Sequence, residues 1–118
     1  MSETTFTNNL RNYVKRKGGG SIKLGASIFL AKGTPDTIYC LEGWTFFLES
    51  KVHPYKASAL QLGVIDKMRK EGFFAWVVTQ HPDGIYLDDV LFSSIEDAFV
   101  YIIRSIREAV RSKANGPN

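Results

Sequence analysis

Three segments of the chain repeat hydrophobic residues at the spacing of an amphipathic helix. Glycines directly follow the first two segments and would end both helices. Ser94 precedes the third segment and is a good N-cap residue. We therefore predict helices over residues 3–17, 57–71 and 94–112.

Other stretches have the alternating or continuously apolar patterns of β-strands. The apolar run 73–79 is typical of a strand buried on both faces. We predict extended segments over 21–31, 37–41, 44–51 and 73–79, with 85–92 as a short strand or irregular piece.

The predicted order α-β-β-β-α-β-(β)-α indicates an α/β or α+β fold in which helices flank a central mixed sheet. A chain of 118 residues fits one domain, 1–118, with one core. We expect residues 113–118 to form a disordered tail.

Segments 37–41 and 44–51 form the two arms of a predicted β-hairpin. The residues between them, Glu42-Gly43, suit a tight two-residue turn because glycine tolerates positive φ. Such a turn pairs residues whose numbers sum to 85, so Asp36 would lie opposite Glu49. Two carboxylates in that position repel each other. A bound cation is the natural compensation.

Composition limits the function only broadly. The chain is 44% hydrophobic and 23% charged, as in an ordinary globular protein, and its formal net charge of +3 is compatible with a polyanionic partner. Its single cysteine, Cys40, excludes an internal disulfide and a zinc site built from cysteines. No segment reaches the ~18 apolar residues of a membrane span, and the first twenty residues contain no secretory signal. We expect a protein of the reducing cytosol with no membrane partner.

The second arm of the hairpin carries the candidate chemistry. Side chains alternate along a strand, so Glu49 and Lys51 share a face, which Asp36 joins from the neighbouring strand. The Ser50 carbonyl lies beside them. Carboxylate and carbonyl oxygens suit Mg²⁺ or Mn²⁺ and not zinc. Such an ion could lower the pKa of a bound water, and Lys51 could hold that water or neutralise phosphate charge.

Further polar residues could assist a nucleic-acid substrate. Gln61 lies on the inward stripe of the second predicted helix and needs a partner, which a metal-bound water or a substrate phosphate would provide. His53 follows Lys51 closely and is either a solvated loop residue or a DNA contact. A basic group near the three glycines is either a solvated helix end or a phosphate-binding patch; it comprises Arg11, Lys15, Arg16, Lys17 and Lys23.

Taken together, these residues resemble the PD-(D/E)xK nuclease signature. The sequence "GTPD" supplies the PD element as Pro35-Asp36, and "ESK" supplies the ExK element as Glu49-Ser50-Lys51. By this resemblance, Asp36, Glu49 and the Ser50 carbonyl are metal ligands and Lys51 is the catalytic lysine. The fold implied is a restriction-endonuclease-like core.

Within that superfamily the chain most resembles the small stand-alone VRR-NUC nucleases, which are Holliday-junction-resolvase-like. Their pattern continues with a helix bearing S-x-x-Q, matched here by Ser58 and Gln61 in "ASALQLGVIDKMRKEG". The resemblance gives Gln61 a supporting role near the metal or water. It also calls for an acid on the first helix, and Glu3 is the one acid available there.

The resemblance implies a metal-dependent DNA endonuclease that acts as a homodimer on branched DNA such as four-way junctions. The expected location is the cytoplasm of a bacterial or phage-infected cell. Two alternatives remain open at this point. One is a non-catalytic DNA-binding or assembly module on the same fold, and the other is an end-processing or restriction-type nuclease.

Overall fold

A computed structural model describes residues 1–25 and 32–115. Within these ranges the chain forms three helices and six strands. In chain order they are α1 Glu3–Arg16, β1 Gly20–Lys23, β2 Thr37–Leu41, β3 Trp44–Val52, α2 Ala59–Lys70, β4 Ala75–His81, β5 Gly84–Leu87, β6 Val90–Phe92 and α3 Ile95–Asn115.

The six strands form one sheet in the order β1-β2-β3-β4-β5-β6. Every neighbouring pair is antiparallel except β3 and β4, which run parallel. The parallel pair follows from the connection, because the chain crosses over through α2 between these two strands. The mixed sheet flanked by helices, with a C-terminal helix, confirms the predicted fold class.

The β2–β3 hairpin has the predicted register. Thr37 lies opposite Leu48, so paired numbers sum to 85. The turn fixes this register: Glu42 has φ 54° and Gly43 has φ 81°, which is the positive-φ pair that matches the twist of a two-residue hairpin.

The two faces of the sheet are covered differently. Helices α1 and α3 pack on one face over a large aromatic and aliphatic core that includes Tyr39, Phe46 and Phe99. Helix α2 covers part of the other face, where Ile65 packs on a small cluster with Val77. Glu49 and Lys51 of β3 alternate with Leu48 and Ser50 and lie on this second face.

Some predicted boundaries were wrong. Strand β1 spans Gly20–Lys23, so the described residues 24 and 25 of the predicted extended segment 21–31 do not continue it; residues 26–31 lie outside the described ranges. Helix α3 continues to Asn115, beyond the predicted end at 112, because nothing in the sequence before Gly116 breaks it. Residues 116–118 of the predicted tail lie outside the described ranges.

Segment 85–92 is a second hairpin and not a single strand. Strands β5 and β6 pair through Leu87 and Val90, and Asp88 takes the positive φ of 53° that the turn requires. The Asp88 carboxylate also accepts the Val77 amide at 3.0 Å, which ties this turn to β4. None of the helices in 1–25 and 32–115 combines the length and apolar character needed to cross a bilayer.

Candidate metal centre

Asp36 lies where the β2–β3 ladder stops. Strand β2 begins at Thr37, opposite Leu48, so the next residues of β3 have no β2 partner. Asp36 takes that place with its side chain: Oδ2 accepts the Ser50 amide at 2.6 Å, and Oδ1 accepts the Thr37 hydroxyl at 2.7 Å. Two hydrogen bonds therefore hold this carboxylate at the unpaired edge of β3.

Glu49 comes from β3 and is almost completely buried, with 3% of its surface exposed. The Lys51 Nζ lies 3.5 Å from its Oε2, and both side chains are largely shielded from water. The alternation predicted for β3 explains this pair, because residues two apart share a face.

Glu3 joins the two carboxylates from the first turn of α1. Oxygens of Glu3, Asp36 and Glu49 all lie within 4.8 Å of one another. Helix α1 packs on the opposite face of the sheet. Because β2 begins only at Thr37, the edge of β3 beside Glu49 is unpaired, and the first turn of α1 reaches Glu49 there. The structure thus brings together the three acids named from the sequence.

The electrostatics of this cluster favour a bound cation. Burial raises the pKa of Asp36, and the nearby Glu3 adds to the increase, while hydrogen bonds from Ser50 and Thr37 oppose it. Burial also raises the pKa of Glu49 to about 7, reinforced by the Asp36 charge and opposed by Lys51. Both carboxylates are disfavoured as anions, mainly because they are buried and in addition because neighbouring acids repel them.

The Ser50 backbone contributes to the same place. Its amide hydrogen points to Asp36, and in an extended strand the carbonyl of the same residue points to the same neighbour. The predicted carbonyl ligand therefore lies on the correct edge of β3. Three carboxylates and a carbonyl form a hard-oxygen donor set that fits Mg²⁺ or Mn²⁺.

Gln61 has a partner that the sequence reasoning missed. Its Oε1 accepts the Ser58 amide at 2.9 Å, and the Ser58 Oγ accepts the Gln61 amide at 3.1 Å. This is the reciprocal capping box of α2. The S-x-x-Q spacing before an apolar run was the available signal.

The basic residues near the three glycines divide into two groups. Lys17 pairs with Glu96 at 3.3 Å, and both Lys17 and Arg16 lie over the Tyr13 ring. Arg11 instead donates from Nε to the Ser21 Oγ at 2.8 Å. Lys23 lies close enough to Asp36 to lower the pKa of that carboxyl.

Arg11 belongs to a polar notch between α1 and β1 with a volume of about 470 Å³. No acid lines it. The lining residues are Asn8, Arg11, Asn12, Lys15, Gly19, Gly20 and Ser21. The two asparagines were missed in the sequence, although their spacing with Arg11 and Lys15 marks one stripe of a helix.

His53 follows β3 directly, and its ring centroid lies 4.3 Å from that of His81. The two histidines, each followed by a proline, are therefore neighbours, and His81 is the last residue of β4. The His53 amide donates to the Gln80 carbonyl at 2.9 Å, which extends the β3–β4 pairing.

A mixed sheet whose parallel pair carries Glu49-Ser50-Lys51 beside Asp36 defines a nuclease fold of the restriction-endonuclease-like type. No protein-family profile matches the chain, and no curated protein matches it either.

Solved structures do match. The chain is similar to a VRR-NUC domain with a TM-score of 0.58 and 25% identity, over 67% of this chain and 84% of that one. It is also similar to Hjc, a Holliday junction resolvase of the archaeon Archaeoglobus fulgidus, with a TM-score of 0.54 and 18% identity, over 71% of this chain and 72% of that one. The protein has the fold of the junction-resolvase and VRR-NUC nucleases, which confirms the resemblance found in the sequence.

Proposed function

We propose that this protein is a metal-dependent DNA endonuclease that hydrolyses phosphodiester bonds and prefers branched DNA. One observation carries the proposal: three carboxylates, Glu3, Asp36 and Glu49, meet within 4.8 Å beside Lys51 in a nuclease fold.

We assign the ligands of the ion from this set of oxygen donors. Asp36, Glu49, the Ser50 carbonyl and Glu3 would hold Mg²⁺ or Mn²⁺. When bound, the ion supplies a water of lowered pKa and offsets the extra negative charge of the phosphate in the transition state. A bound ion would offset the repulsion among the three carboxylates, and this favours binding of the ion.

Lys51 acts on the substrate side of the site. Its ammonium group is shielded from water, with 14% of the side chain exposed, and lies 3.5 Å from Glu49. A cation in this position donates hydrogen bonds to the attacking water or to a phosphate oxygen, and low solvent exposure strengthens that effect. We assign Gln61 a supporting role through the amide nitrogen of its side chain, which the capping box does not use.

The notch between α1 and β1 suits the DNA backbone. Arg11 and Lys15 offer positive charge, and in the described part of the chain neither has an acidic partner within 4.0 Å. Lys23 continues this charge toward the metal centre. We propose phosphate contacts at these residues, with weaker ones at Arg16, Lys17 and His53. Such contacts position DNA without reading its sequence.

The preference for branched DNA rests on the fold and on symmetry. One structural neighbour is a Holliday junction resolvase. A four-way junction has two-fold symmetry, which an isologous dimer of this chain would match. We therefore propose a homodimer as the active form.

The deciding experiment compares substrates and metals. Purified protein is given linear duplex, flap, single-stranded and four-way DNA with Mg²⁺, with Mn²⁺ and with EDTA. We expect cleavage only with a divalent ion, fastest on the four-way junction. Fastest cleavage of free ends or of one linear sequence would instead favour an end-processing or restriction-type nuclease. Calorimetry showing no Mg²⁺ or Mn²⁺ binding, together with DNA binding and no cleavage, would favour the non-catalytic module.

A further inference from the structure

A second concavity lies on the α2 face of the sheet, outside the metal centre. Its volume is about 790 Å³, within the size range of small-molecule pockets. Helix α2 and the loop before it form one side, and β5 with the β5–β6 turn forms the other. We call it the α2–β5 groove. Its lining includes His53, Lys56, Ile65, Val77, Tyr86 and Asp89.

The groove begins next to the candidate active site. Val77 and Thr79 form part of its lining, and they pair with Glu49 and Lys51 across the parallel β3–β4 ladder. Paired residues share a face of the sheet, and neighbouring strands lie about 4.8 Å apart. A phosphate held at the metal centre would therefore have this groove one strand away.

The chemistry of the groove changes along its length. His53 and Lys56 lie at the end where the chain leaves β3, and Asp89 lies at the far end. The neighbouring Asp88 is committed to Arg69 at 2.7 Å, whereas Asp89 has no ion-pair partner in the ranges that the structure describes.

Three rings form a continuous side of the groove. The centroids of His53 and His81 are 4.3 Å apart, and those of His81 and Tyr86 are 5.3 Å apart, both edge to face. Ile65 and Val77 supply an apolar floor. The groove therefore offers Lys56 and the His53 ring near the active site, an aromatic and apolar middle, and a carboxylate without an ion-pair partner among the described residues at the end.

We infer that the α2–β5 groove receives one unstacked nucleotide of the substrate strand, next to the phosphate that is cut. The inference rests on the proposed function and specifies its substrate. The phosphate of that nucleotide lies toward Lys56 and His53, and its base lies against His81 and Tyr86. Asp89 accepts a hydrogen bond from an exocyclic amino group of the base.

This occupant explains a preference for branched DNA. Taking a base out of the stack is least costly where it is already unpaired or poorly stacked, as at a junction. Aromatic side chains bind any base through its face, so the groove adds affinity without strict sequence selection. The carboxylate of Asp89 favours bases with an amino group.

The test uses Tyr86→Leu, with Tyr101→Leu as its matched control. Tyr101 lies on α3, away from the groove, and is 39% exposed. A series of four-way junctions carries one abasic site at each position within three nucleotides of the cut. For the parent and Tyr101→Leu, we expect one position at which the abasic site raises KM about tenfold, the scale of one lost stacking contact. For Tyr86→Leu, KM is already raised on intact DNA and that abasic site has no further effect.

A second measurement does not depend on cleavage. 2-Aminopurine replaces the base at each of the same positions, and its fluorescence is recorded on equilibrium binding to the protein. A change at one position in the parent, lost in Tyr86→Leu and restored in Tyr86→Phe, supports the groove. No change at any position, or a change that persists in Tyr86→Leu, overturns it.

Should Tyr86→Leu fail to fold, the exposed Asp89→Asn takes its place. We expect it to reduce the preference for cytosine or adenine over thymine at that position several-fold, and an unchanged preference contradicts the assignment. If the junctions are cleaved but no abasic site changes KM, the inference about the groove is rejected and the proposed function is not. Absence of cleavage on every DNA and metal rejects the proposed function, while the fluorescence series still decides the groove.

Discussion

The two faces of strand β3 have opposite tasks. Phe46, Leu48 and Ser50 point to the α1 and α3 side and are completely buried. Phe47, Glu49 and Lys51 point to the other side, where α2 covers the sheet only in part. The first set packs against a large aromatic core, and the second includes a buried charge pair.

The difference shows where stability and function are located. Apolar burial on the first face favours folding by about 25 cal/mol per Å². A carboxylate as buried as Glu49, with Asp36 beside it, opposes folding when ionised. The apolar burial on the core face of β3 can therefore offset the unfavourable free energy of the charged site on its other face.

The largest effect is on catalysis. We expect Asp36→Asn and Lys51→Ala each to reduce cleavage of a four-way junction by about 10²-fold or more, because they remove a metal ligand and a cation at the reacting phosphate. Circular dichroism and DNA binding should stay close to those of the parent. The matched controls are Asp66→Asn and Lys67→Ala on the exposed side of α2. Parental cleavage rates in either site variant would refute the assignment.

On the core side of β3, Leu48→Ala should cost about 3 kcal/mol of unfolding free energy, because it leaves a cavity in a fully buried position. Urea denaturation measures this loss. The comparison variant is Thr45→Ala, an exposed position of the same strand, for which we expect a change below about 0.5 kcal/mol. Equal losses at the two positions would mean that the core does not lie where the structure has it.

On the functional side, Glu49→Gln should make the metal-free protein more stable at pH 8. The folded pKa of Glu49 is about 7 against an ordinary 4.5, so the native state binds the proton more tightly. The stabilising contribution of Glu49 to the free energy of unfolding is complete below pH 4.5 and is lost as the pH rises through 7. The full effect is on the order of 3 kcal/mol.

The measurement is the difference in unfolding free energy between parent and Glu49→Gln, taken in EDTA from pH 5 to pH 8. We expect the variant to gain relative to the parent as the pH rises, and Mg²⁺ to stabilise only the parent. A pH-independent difference would mean that Glu49 has the same pKa in both states.

A smaller change separates two roles of Gln61. Ser58→Ala and Gln61→Ala both open the capping box of α2 and should each cost about 1 kcal/mol of stability. If Gln61 also serves the site, only Gln61→Ala lowers kcat. Equal kcat values in the two variants would leave Gln61 with the cap as its one function.

The smallest expected effect concerns the notch between α1 and β1. Arg11→Gln should weaken DNA binding and reduce the slope of log affinity against log salt by about 1, because one phosphate contact is lost. Arg104→Gln on the exposed side of α3 has the same charge change and serves as the control. A slope reduced equally in both variants would indicate net charge alone.

Local patterns predicted the parts of the site that depend on local geometry. The turn at Glu42-Gly43 sets the hairpin register, and the register places Asp36 beside Glu49, so the sequence was sufficient for that pair. The position of Glu3 needed the family resemblance, because no local spacing connects the start of α1 with β3.

Other features were missed, either because a local helix cap was not recognised or because the contact joins distant segments. Gln61 was expected to face a metal-bound water or a phosphate, but its carbonyl oxygen caps its own helix. The turn at Asp88 was not recognised, because the interaction that supports its positive φ includes Val77, which is eleven residues away. The α2–β5 groove requires three strands and a helix to assemble before it exists.

The start of β2 at Thr37, which leaves the end of β3 without a β2 partner, has a consequence for how such sites could be made or lost. Pro35 precedes Asp36 and has no amide hydrogen, so it cannot donate a further rung to β3. At position 35, a residue with a free N–H would allow the β2–β3 pairing to continue beyond Thr37. The backbone would then fill the space in which the acids meet. The proline of the motif thus acts as a spacer: by keeping two strands apart at their ends, it leaves room for an ion that neither strand could accommodate if fully paired.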